Sequence, residues 1–217
     1  MTNSFNTFQS DMTRVNGLFA IYDHLRNELH LGNDITSEIL RNQWMYAVSA
    51  MDKFLHEVVR VGFIESYKGI RSHTAKYESL QLPIPVIEKL IVYSNPSFVP
   101  SSIDETVNEV LSIEIARQTH IVAYQHPDKI NEGLSIVWDE VHKFQKLSTS
   151  MGWTMVNNDK ILRQKLILIS DRRNQIVHQS DMLHGCHTKQ SITRTEVEEA
   201  IEVVSKFCKA VYDEVHI

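Results

Sequence analysis

The sequence WMYAVSAMDKFLHEVVRVG, residues 44–62, has the clearest structural signature in this 217-residue chain. Its apolar side chains recur every three or four residues, the spacing that places them on one face of an α-helix. Eight residues lie within about 60° of one line at 100° per residue: Trp44, Ala47, Val48, Met51, Leu55, Val58, Val59 and Gly62. Asn33, Asp34 and Thr36 are candidate N-caps, so a long helix is predicted from there to about residue 62.

Helical patterns also fill most of the remaining chain, which holds only 7 Gly and 5 Pro. Apolar periodicity with start and stop signals predicts further helices over about residues 7–30, 86–93, 104–125, 136–147, 158–178 and 193–217. Thr193 and Glu196 have the spacing of a capping box for the last of them. Leu166–Ile169 has the composition of a buried strand, but helical sequence surrounds it. We therefore expect an all-α fold.

Turn-forming residues separate these helices. They are Asn95-Pro96 and Pro100 in a predicted loop, His126-Pro127-Asp128 as a helix break, Gly152 in a turn, and a polar loop over residues 179–191. The chain has no internal repeat and no low-complexity segment. Its length permits one or two domains, and we expect a single domain over residues 1–217.

The composition is that of a soluble globular protein, with 42% apolar and 23% charged residues. No apolar run reaches about 18 residues, so no membrane span is expected. The first residues, MTNSFNTFQSDMTR, do not have the pattern of a secretory signal. Cys186 and Cys208 are too few for a disulfide framework, and Cys208 fits an apolar helical pattern as a small core residue. We expect a cytoplasmic protein.

The net charge of −5 disfavours non-specific binding of nucleic acid through bulk electrostatics. The charge is unevenly distributed, however. Residues 101–144 hold eight acids and three bases, whereas residues 157–173 hold five bases and two acids. The basic segment is either a face that meets phosphate or an ordinary solvated helix face, and its charge alone favours the second interpretation.

Arg173 occupies an unusual position in the predicted helix 158–178. Its expected direction lies within about 20° of Leu162 at 100° per residue, in the middle of an apolar stripe. That stripe consists of Leu162, Leu166, Ile169, Ile176 and Val177. A guanidinium there either extends along its alkyl stem to water, pairs with a buried acid, or meets an anion at an interface. For one such arginine taken alone, the first arrangement is the ordinary one.

His178 follows Arg173 by five residues, which turns it about 140° away on an ideal α-helix. Asn174 and His178, at i and i+4, share a face instead. The arginine and the histidine can converge only through a π-bulge, a helix end near His178, or a second copy of the motif across a two-fold axis. For this reason we expect a homodimer. A histidine near a helix C-terminus is otherwise often a favourable cation at the negative end of the helix dipole.

The segment around these residues resembles a known family. Arg173-Asn-Gln-Ile-Val-His178 is similar to the Arg-x4-His signature of the HEPN superfamily, in the form with Asn after the arginine. Residues 171–181, the polar loop after them and Ile192-Thr193 resemble the RiboL-PSP branch of that superfamily. Residues 47–60 in the second predicted helix resemble it too.

The resemblance is good over residues 40–66 and 158–217 and poor over residues 70–150. It implies a HEPN-type helical bundle, a dimer, and endoribonuclease activity in members that retain both the arginine and the histidine, as this chain does. The middle segment departs from the compact family pattern, so we expect an extended helical insertion that shapes the substrate site or binds a partner. The resemblance also implies a toxin or phage-defence effector, with an antitoxin or a defence protein as its partner.

The residue types account for the implied chemistry without a metal or other cofactor. A histidine titrates near neutral pH, so His178 can move the proton of an RNA 2′-hydroxyl or of the leaving 5′-oxygen. An arginine stays charged and holds two phosphate oxygens at once, which suits Arg173 to stabilise the transition state. Asn174 can orient the phosphate or the imidazole. The expected products are a 2′,3′-cyclic phosphate and a 5′-hydroxyl, and DNA is not expected to be cut.

Two other functions stay open on the sequence alone. One is a non-catalytic HEPN module that binds RNA or a protein partner, with the acidic segment as a docking surface. The other, which the sequence favours less, is a structural dimerisation domain, in which Arg173→Leu would stabilise the dimer.

Supporting residues are expected near Arg173. Arg172 is a second cation beside it. Asp52 and His56, at i and i+4 in the second predicted helix, either support the catalytic residues or form an ordinary surface pair, and we favour the surface pair.

Two other groups of residues invite a functional interpretation that we do not favour. His184-Gly-Cys-His187 matches no standard zinc spacing and is expected to be a polar loop. Trp44, Trp138 and Trp153 are expected in the core or at an interface rather than as base-stacking platforms.

Overall fold

The computed structural model describes residues 2–93, 103–119, 122–183, 185 and 188–215. Within these residues the fold is all-α, as the sequence predicts, and it contains one isolated β-bridge, between Met182 and Lys189. The nine α-helices of the described residues are α1 Thr2–Asp23, α2 Asn33–Tyr67, α3 Ala75–Glu78, α4 Ile84–Tyr93, α5 Ile103–Thr119, α6 Pro127–Val137, α7 Lys143–Ser150, α8 Asn158–Gln179 and α9 Arg194–Val215.

Helix α2 lies at the centre and packs against α1, α5, α6, α8 and α9. Its predicted apolar stripe is buried from Ala47 to Gly62, which confirms the periodicity argument. Trp44, at the start of the stripe, is half-buried, and its indole Nε1 donates a hydrogen bond to the carbonyl oxygen of Ile169 in α8 at 3.0 Å. The stripe therefore also attaches α8 to the centre of the bundle.

Helix α9 begins and packs as predicted. The backbone N–H of Thr193 donates to Glu196 Oε2 at 2.7 Å, and the N–H of Glu196 donates to Thr193 Oγ1 at 3.3 Å, which forms the capping box. Its apolar face is buried at Val197, Ile201, Val204, Cys208, Val211 and Val215. Cys208 is therefore a core residue, and burial raises the pKa of its thiol well above the ordinary value.

The boundaries predicted for the middle of the chain are wrong in three places. The helix predicted to residue 125 ends at Thr119. Pro127 begins α6 instead of breaking a helix, because its missing N–H is unneeded in a first turn and His126 Nδ1 accepts from the N–H of Asp128 at 3.3 Å. The helix predicted over residues 136–147 is divided between α6 and α7, since the backbone of Trp138 is extended.

The connection between α1 and α2 also differs from the prediction. The α-helix ends at Asp23, and a π-helical turn over His24–Glu28 follows it. The segment predicted as one helix to residue 30 is therefore α-helical first and π-helical in its last turn. The N-cap of α2 is Gly32, without a side-chain cap. Of the three predicted caps, Asn33 instead accepts a hydrogen bond from Arg26, and Thr36 donates to the Gly32 carbonyl oxygen at 3.2 Å.

The loop predicted at Asn95-Pro96 and Pro100 lies outside the described residues. Gly152 forms the predicted turn after α7, with a φ of 84° in the left-handed region that favours glycine. None of the described helices combines the length and the hydropathy that are needed to cross a membrane.

Gly62 permits the close packing of α2 against α6, which yields a prediction. A methyl group at Gly62 would lie 2.6 Å from Val137 Cγ1 and 2.7 Å from Val137 Cβ, and Val137 is itself buried. We expect Gly62→Ala to lower the free energy of unfolding, because overpacking costs about 1–3 kcal/mol and outweighs the better helix propensity of alanine. Denaturant titration measures the change.

Gly17→Ala in α1 is the matched control, because nothing lies within 4 Å of the added methyl group. This variant is expected to raise the free energy of unfolding by about 0.5–1 kcal/mol. A Gly62→Ala protein as stable as Gly17→Ala would contradict the close contact with Val137.

Candidate functional site

The two residues of the Arg-x4-His motif lie in the last turns of α8. The helix is α-helical throughout Asn158–Gln179 and contains no π-helical turn, so the first route to convergence is absent from it. It ends at Gln179, one residue after His178, and its C-cap is the left-handed residue Ser180, which has a φ of 50°. Because this end follows His178, the backbone between Arg173 and His178 stays regular, and the helix end does not bring the two side chains together within one chain.

Arg173 is half-buried, and its guanidinium is incompletely bonded. Its Nη1 donates to Asn174 Oδ1 at 3.1 Å, and its Nε is buried without a hydrogen-bond partner in the described part of the chain. Asn174 and His178 are exposed on the side of α8 that turns away from the buried residues. The structure thus places the cation at the edge of the core and the imidazole in solvent.

The apolar stripe predicted on α8 is correct except at its end. Leu162, Leu166, Ile169 and Ile176 are buried, but the side chain of Val177 is 43% exposed. Val177 lies at the margin of the stripe, about 100° around the helix from Ile176. An apolar side chain is therefore exposed one turn after Arg173.

Arg172 belongs to a buried ion cluster instead of pointing into solvent beside Arg173. Its Nη2 donates to Asp181 Oδ2 at 2.9 Å, and Arg41 Nε in α2 donates to the same oxygen at 2.7 Å. The Asp181 side chain is fully buried, and the Arg41 and Arg172 side chains are only 5% and 12% exposed. We call these three residues the Arg41–Asp181–Arg172 cluster.

The cluster also holds the loop that follows α8. Arg41 Nη2 donates to the Gln190 carbonyl oxygen at 2.7 Å, and Arg172 Nη2 donates to that of Ser191 at 2.9 Å. The Gln190 N–H donates to the Asp181 carbonyl oxygen at 2.8 Å, which closes the loop on itself. The same end of the bundle contains the ion pair between Arg194 at the start of α9 and Asp23 at the end of α1.

Sequence reasoning missed Arg41 and Asp181. They are 140 positions apart, so no local pattern connects them. The one available signal was a charged residue, Asp181, immediately after the end of a motif-bearing helix.

Asp52 and His56 lie in a different environment from Arg173 and His178. Asp52 Oδ1 accepts from the backbone N–H of Tyr124 at 2.6 Å and lies 3.8 Å from His56 Nε2. The His56 ring packs on the Tyr124 ring, with 4.5 Å between centroids. Among the hydrogen bonds, ion pairs and ring contacts of the described residues, those of Asp52 and His56 do not reach α8.

The remaining candidates divide into described and undescribed residues. Trp138 is buried, and Trp44 and Trp153 are partly buried against the core, which fits the expected core positions. His184, Cys186 and His187 lie outside the described residues. Elsewhere in the described chain, no three His, Cys, Asp or Glu side chains are grouped so that they could hold a metal ion.

An all-helical bundle in which a long helix ends on an Arg-x4-His motif fits the HEPN class of domains. The sequence model of the RiboL-PSP-HEPN family matches residues 13–216, a range that includes the middle segment 70–150. The chain belongs to the RiboL-PSP-HEPN family, as its motifs predict. Searches of curated proteins and of solved structures gave no match. HEPN domains are frequently endoribonucleases.

The contact between Asp52 and Tyr124 yields a second prediction. Burial raises the pKa of Tyr124, the negative charges of Asp52 and Glu132 raise it by smaller amounts, and together they bring it to about 12. We expect Asp52→Asn to lower this pKa while leaving it above the ordinary value of 10.0, since burial is the larger cause. Ultraviolet titration of the phenolate, compared with Tyr124→Phe to identify the signal, measures it. An unchanged pKa would place Asp52 away from Tyr124.

Proposed function

We propose that this protein is an endoribonuclease that cleaves RNA without a metal ion, with Arg173 and His178 as catalytic residues and Asn174 beside them. One observation carries the proposal. Arg173 is a half-buried arginine whose one described hydrogen bond is to the neutral Asn174 and whose buried Nε has no partner among the described residues. A partly desolvated guanidinium without a carboxylate is suited to bind an anion such as a phosphodiester.

The proposed reaction is an attack of the RNA 2′-hydroxyl on the adjacent phosphorus. His178 accepts the hydroxyl proton while the 2′-oxygen forms its bond to phosphorus. The bond from phosphorus to the 5′-oxygen of the next nucleotide breaks, and that oxygen takes up a proton from an imidazolium or from water. Arg173 binds the two non-bridging oxygens, on which negative charge increases. The products are a 2′,3′-cyclic phosphate and a 5′-hydroxyl.

A homodimer forms part of the proposal. Because α8 is regular through both residues, the side chains of Arg173 and His178 point about 140° apart within one chain. A second copy brings an imidazole from the other α8 to the first guanidinium. Val177, Met182 and Leu183 are apolar and 43%, 36% and 43% exposed at this end of the bundle, so they are available for contact between copies.

Cleavage assays with catalytic variants test the mechanism. Purified wild-type protein in EDTA is expected to cut RNA and to leave DNA of the same sequence intact, because DNA lacks the 2′-hydroxyl. Arg173→Ala and His178→Ala are each expected to lower the rate by about 100-fold or more. Fragments with a 5′-hydroxyl accept a label from polynucleotide kinase without prior phosphatase treatment, which identifies the predicted ends.

Two control variants show whether a loss is specific. Arg163→Ala removes an arginine from the same helix that pairs with Asp128 Oδ1 at 3.3 Å. His142→Ala removes an exposed histidine that precedes α7. Both are expected to cut RNA at the wild-type rate. Cleavage that persists in Arg173→Ala and His178→Ala, or that EDTA abolishes in the wild type, argues against the proposal.

A non-catalytic HEPN module that binds a partner is the second candidate, and helix α4 favours it. Ile84, Ile87 and Ile91 are 71%, 42% and 65% exposed, and their spacing places them on one side of α4. An exposed apolar stripe is typical of a surface that meets another protein. Folded wild-type protein that binds RNA or a partner but never cuts RNA would support this function instead.

In the cell, we propose a toxin or phage-defence effector that acts on cytoplasmic RNA and is restrained by an antitoxin or a defence protein. Wild-type expression is expected to arrest growth, and His178→Ala is expected to relieve the arrest at equal protein level. Equal growth inhibition by both proteins would separate toxicity from RNA cleavage.

A further inference from the structure

We infer that Arg41 and Asp181 are positioning residues of this site, which fix the end of α8 that bears His178; the inference rests on the proposed ribonuclease function. The two residues are too far apart in sequence to belong to one local motif. Their side chains nevertheless meet in the core, with Arg41 Nε 2.7 Å from Asp181 Oδ2.

Helix α8 is attached to α2 at two points that bracket the motif. Before Arg173, the Trp44 indole donates to the Ile169 carbonyl oxygen at 3.0 Å. After His178, Arg41 binds the Asp181 carboxylate. The motif therefore lies on a helical segment that α2 holds at both ends, and the second attachment is only three residues from the imidazole.

The turn between His178 and Asp181 depends on this second attachment. Ser180 and Asp181 have φ values of 50° and 60°, in the left-handed region that non-glycine residues rarely adopt. The Asp181 N–H donates back to the Gln175 carbonyl oxygen at 3.0 Å. The backbone conformation is unfavourable in itself, and the buried ion pairs of Asp181 act together with these backbone hydrogen bonds to hold the helix end at this residue.

Within the cluster, the Asp181 carboxylate pairs with the guanidinium groups of Arg41 and Arg172. Both guanidinium groups also donate hydrogen bonds to carbonyl oxygens of the following loop. Arg41 Nη1 also donates to Ser37 Oγ at 2.7 Å and to Glu38 Oε1 at 3.1 Å. Lys189 reaches the same Glu38 oxygen at 2.7 Å. Buried guanidinium groups lose much of their hydration, so loss of Asp181 leaves the Arg172 guanidinium without its carboxylate. Loss of Arg41 leaves Asp181 paired with Arg172 alone, so the turn is no longer attached to α2 by this ion pair and is expected to rearrange. Such rearrangement moves His178.

Arg71 provides a matched control at the opposite end of α2. Its guanidinium binds Glu65 Oε2 at 2.7 Å and the carbonyl oxygens of Val137 and Val215 at 3.2 and 2.9 Å. The side chain is 13% exposed. It thus makes the same kinds of contact as Arg41, a carboxylate and backbone carbonyl groups, but far along α2 from the motif.

The test compares Arg41→Met with Arg71→Met. Both variants are expected to unfold at a lower temperature than the wild type. Only Arg41→Met is expected to lower kcat for RNA cleavage, by about 100-fold with KM nearly unchanged, because small displacements of a catalytic group have effects of that size. Equal kcat values in the two variants would overturn the inference.

Nuclear magnetic resonance of His178 gives a readout that needs no cleavage. The imidazole signal, assigned by its loss in His178→Ala, is expected to shift in Arg41→Met and to stay in place in Arg71→Met. An unshifted signal in Arg41→Met would overturn the inference even if the protein cuts RNA. A wild-type protein that cuts no RNA contradicts the proposed function. In that case the His178 imidazole signal, compared between Arg41→Met and Arg71→Met, still tests whether Arg41 positions His178.

A second pair of variants serves if Arg41→Met fails to fold. Asp181→Asn keeps the side-chain shape and removes the charge, and Glu65→Gln does the same for the partner of Arg71. The imidazole signal and kcat are expected to change in Asp181→Asn alone. A response in Asp181→Asn no greater than in Glu65→Gln would overturn the inference.

Discussion

Helix α2 buries polar as well as apolar side chains, and each buried polar side chain needs a hydrogen-bond partner. Fifteen of its 35 residues are buried. Towards its C-terminus these residues are mainly apolar, and many partners would satisfy them. Nearer its N-terminus it buries Gln43 and Arg41, each of which needs a polar group from another element. Gln43 Nε2 donates to the Val15 carbonyl oxygen of α1 at 2.9 Å, and Arg41 binds Asp181 after α8. These polar contacts therefore link the N-terminal half of α2 to α1 and to the end of α8.

The helices with complete apolar stripes were predictable, because burial against a neighbour requires little more than a continuous apolar face. Helices α2 and α9 are of this kind, and the capping box at Thr193 specified where α9 begins. The middle segment was less predictable, since a proline is compatible with either end of a helix. Whether Pro127 stops one helix or starts another depends on the cap that His126 supplies to the N–H of Asp128, and histidine is not among the residues that usually signal an N-cap.

The Arg-x4-His motif can be identified from its spacing in the sequence, whereas the long-range contacts of the candidate residues cannot. Asp52 and His56 share a helix face and were expected to form an ordinary surface pair, but Asp52 also accepts a hydrogen bond from the backbone N–H of Tyr124, 72 positions away. Arg41 and Asp181 are further apart still. Pairings of this kind depend on how the helices dock, and periodicity within one helix carries no information about them.

Arg172 and Arg173 are neighbours in sequence, and their different environments follow from the helical turn of about 100° between them. That turn directs Arg172 to the carboxylate of Asp181, whose charge it neutralises together with Arg41. Arg173 is left at the edge of the core with a neutral neighbour, Asn174. In a protein of net charge −5, the overall field does not attract RNA. The proposed ribonuclease therefore depends on a few placed cations at the phosphodiester itself. Because few counterions would be displaced, RNA binding is expected to vary only weakly with salt concentration.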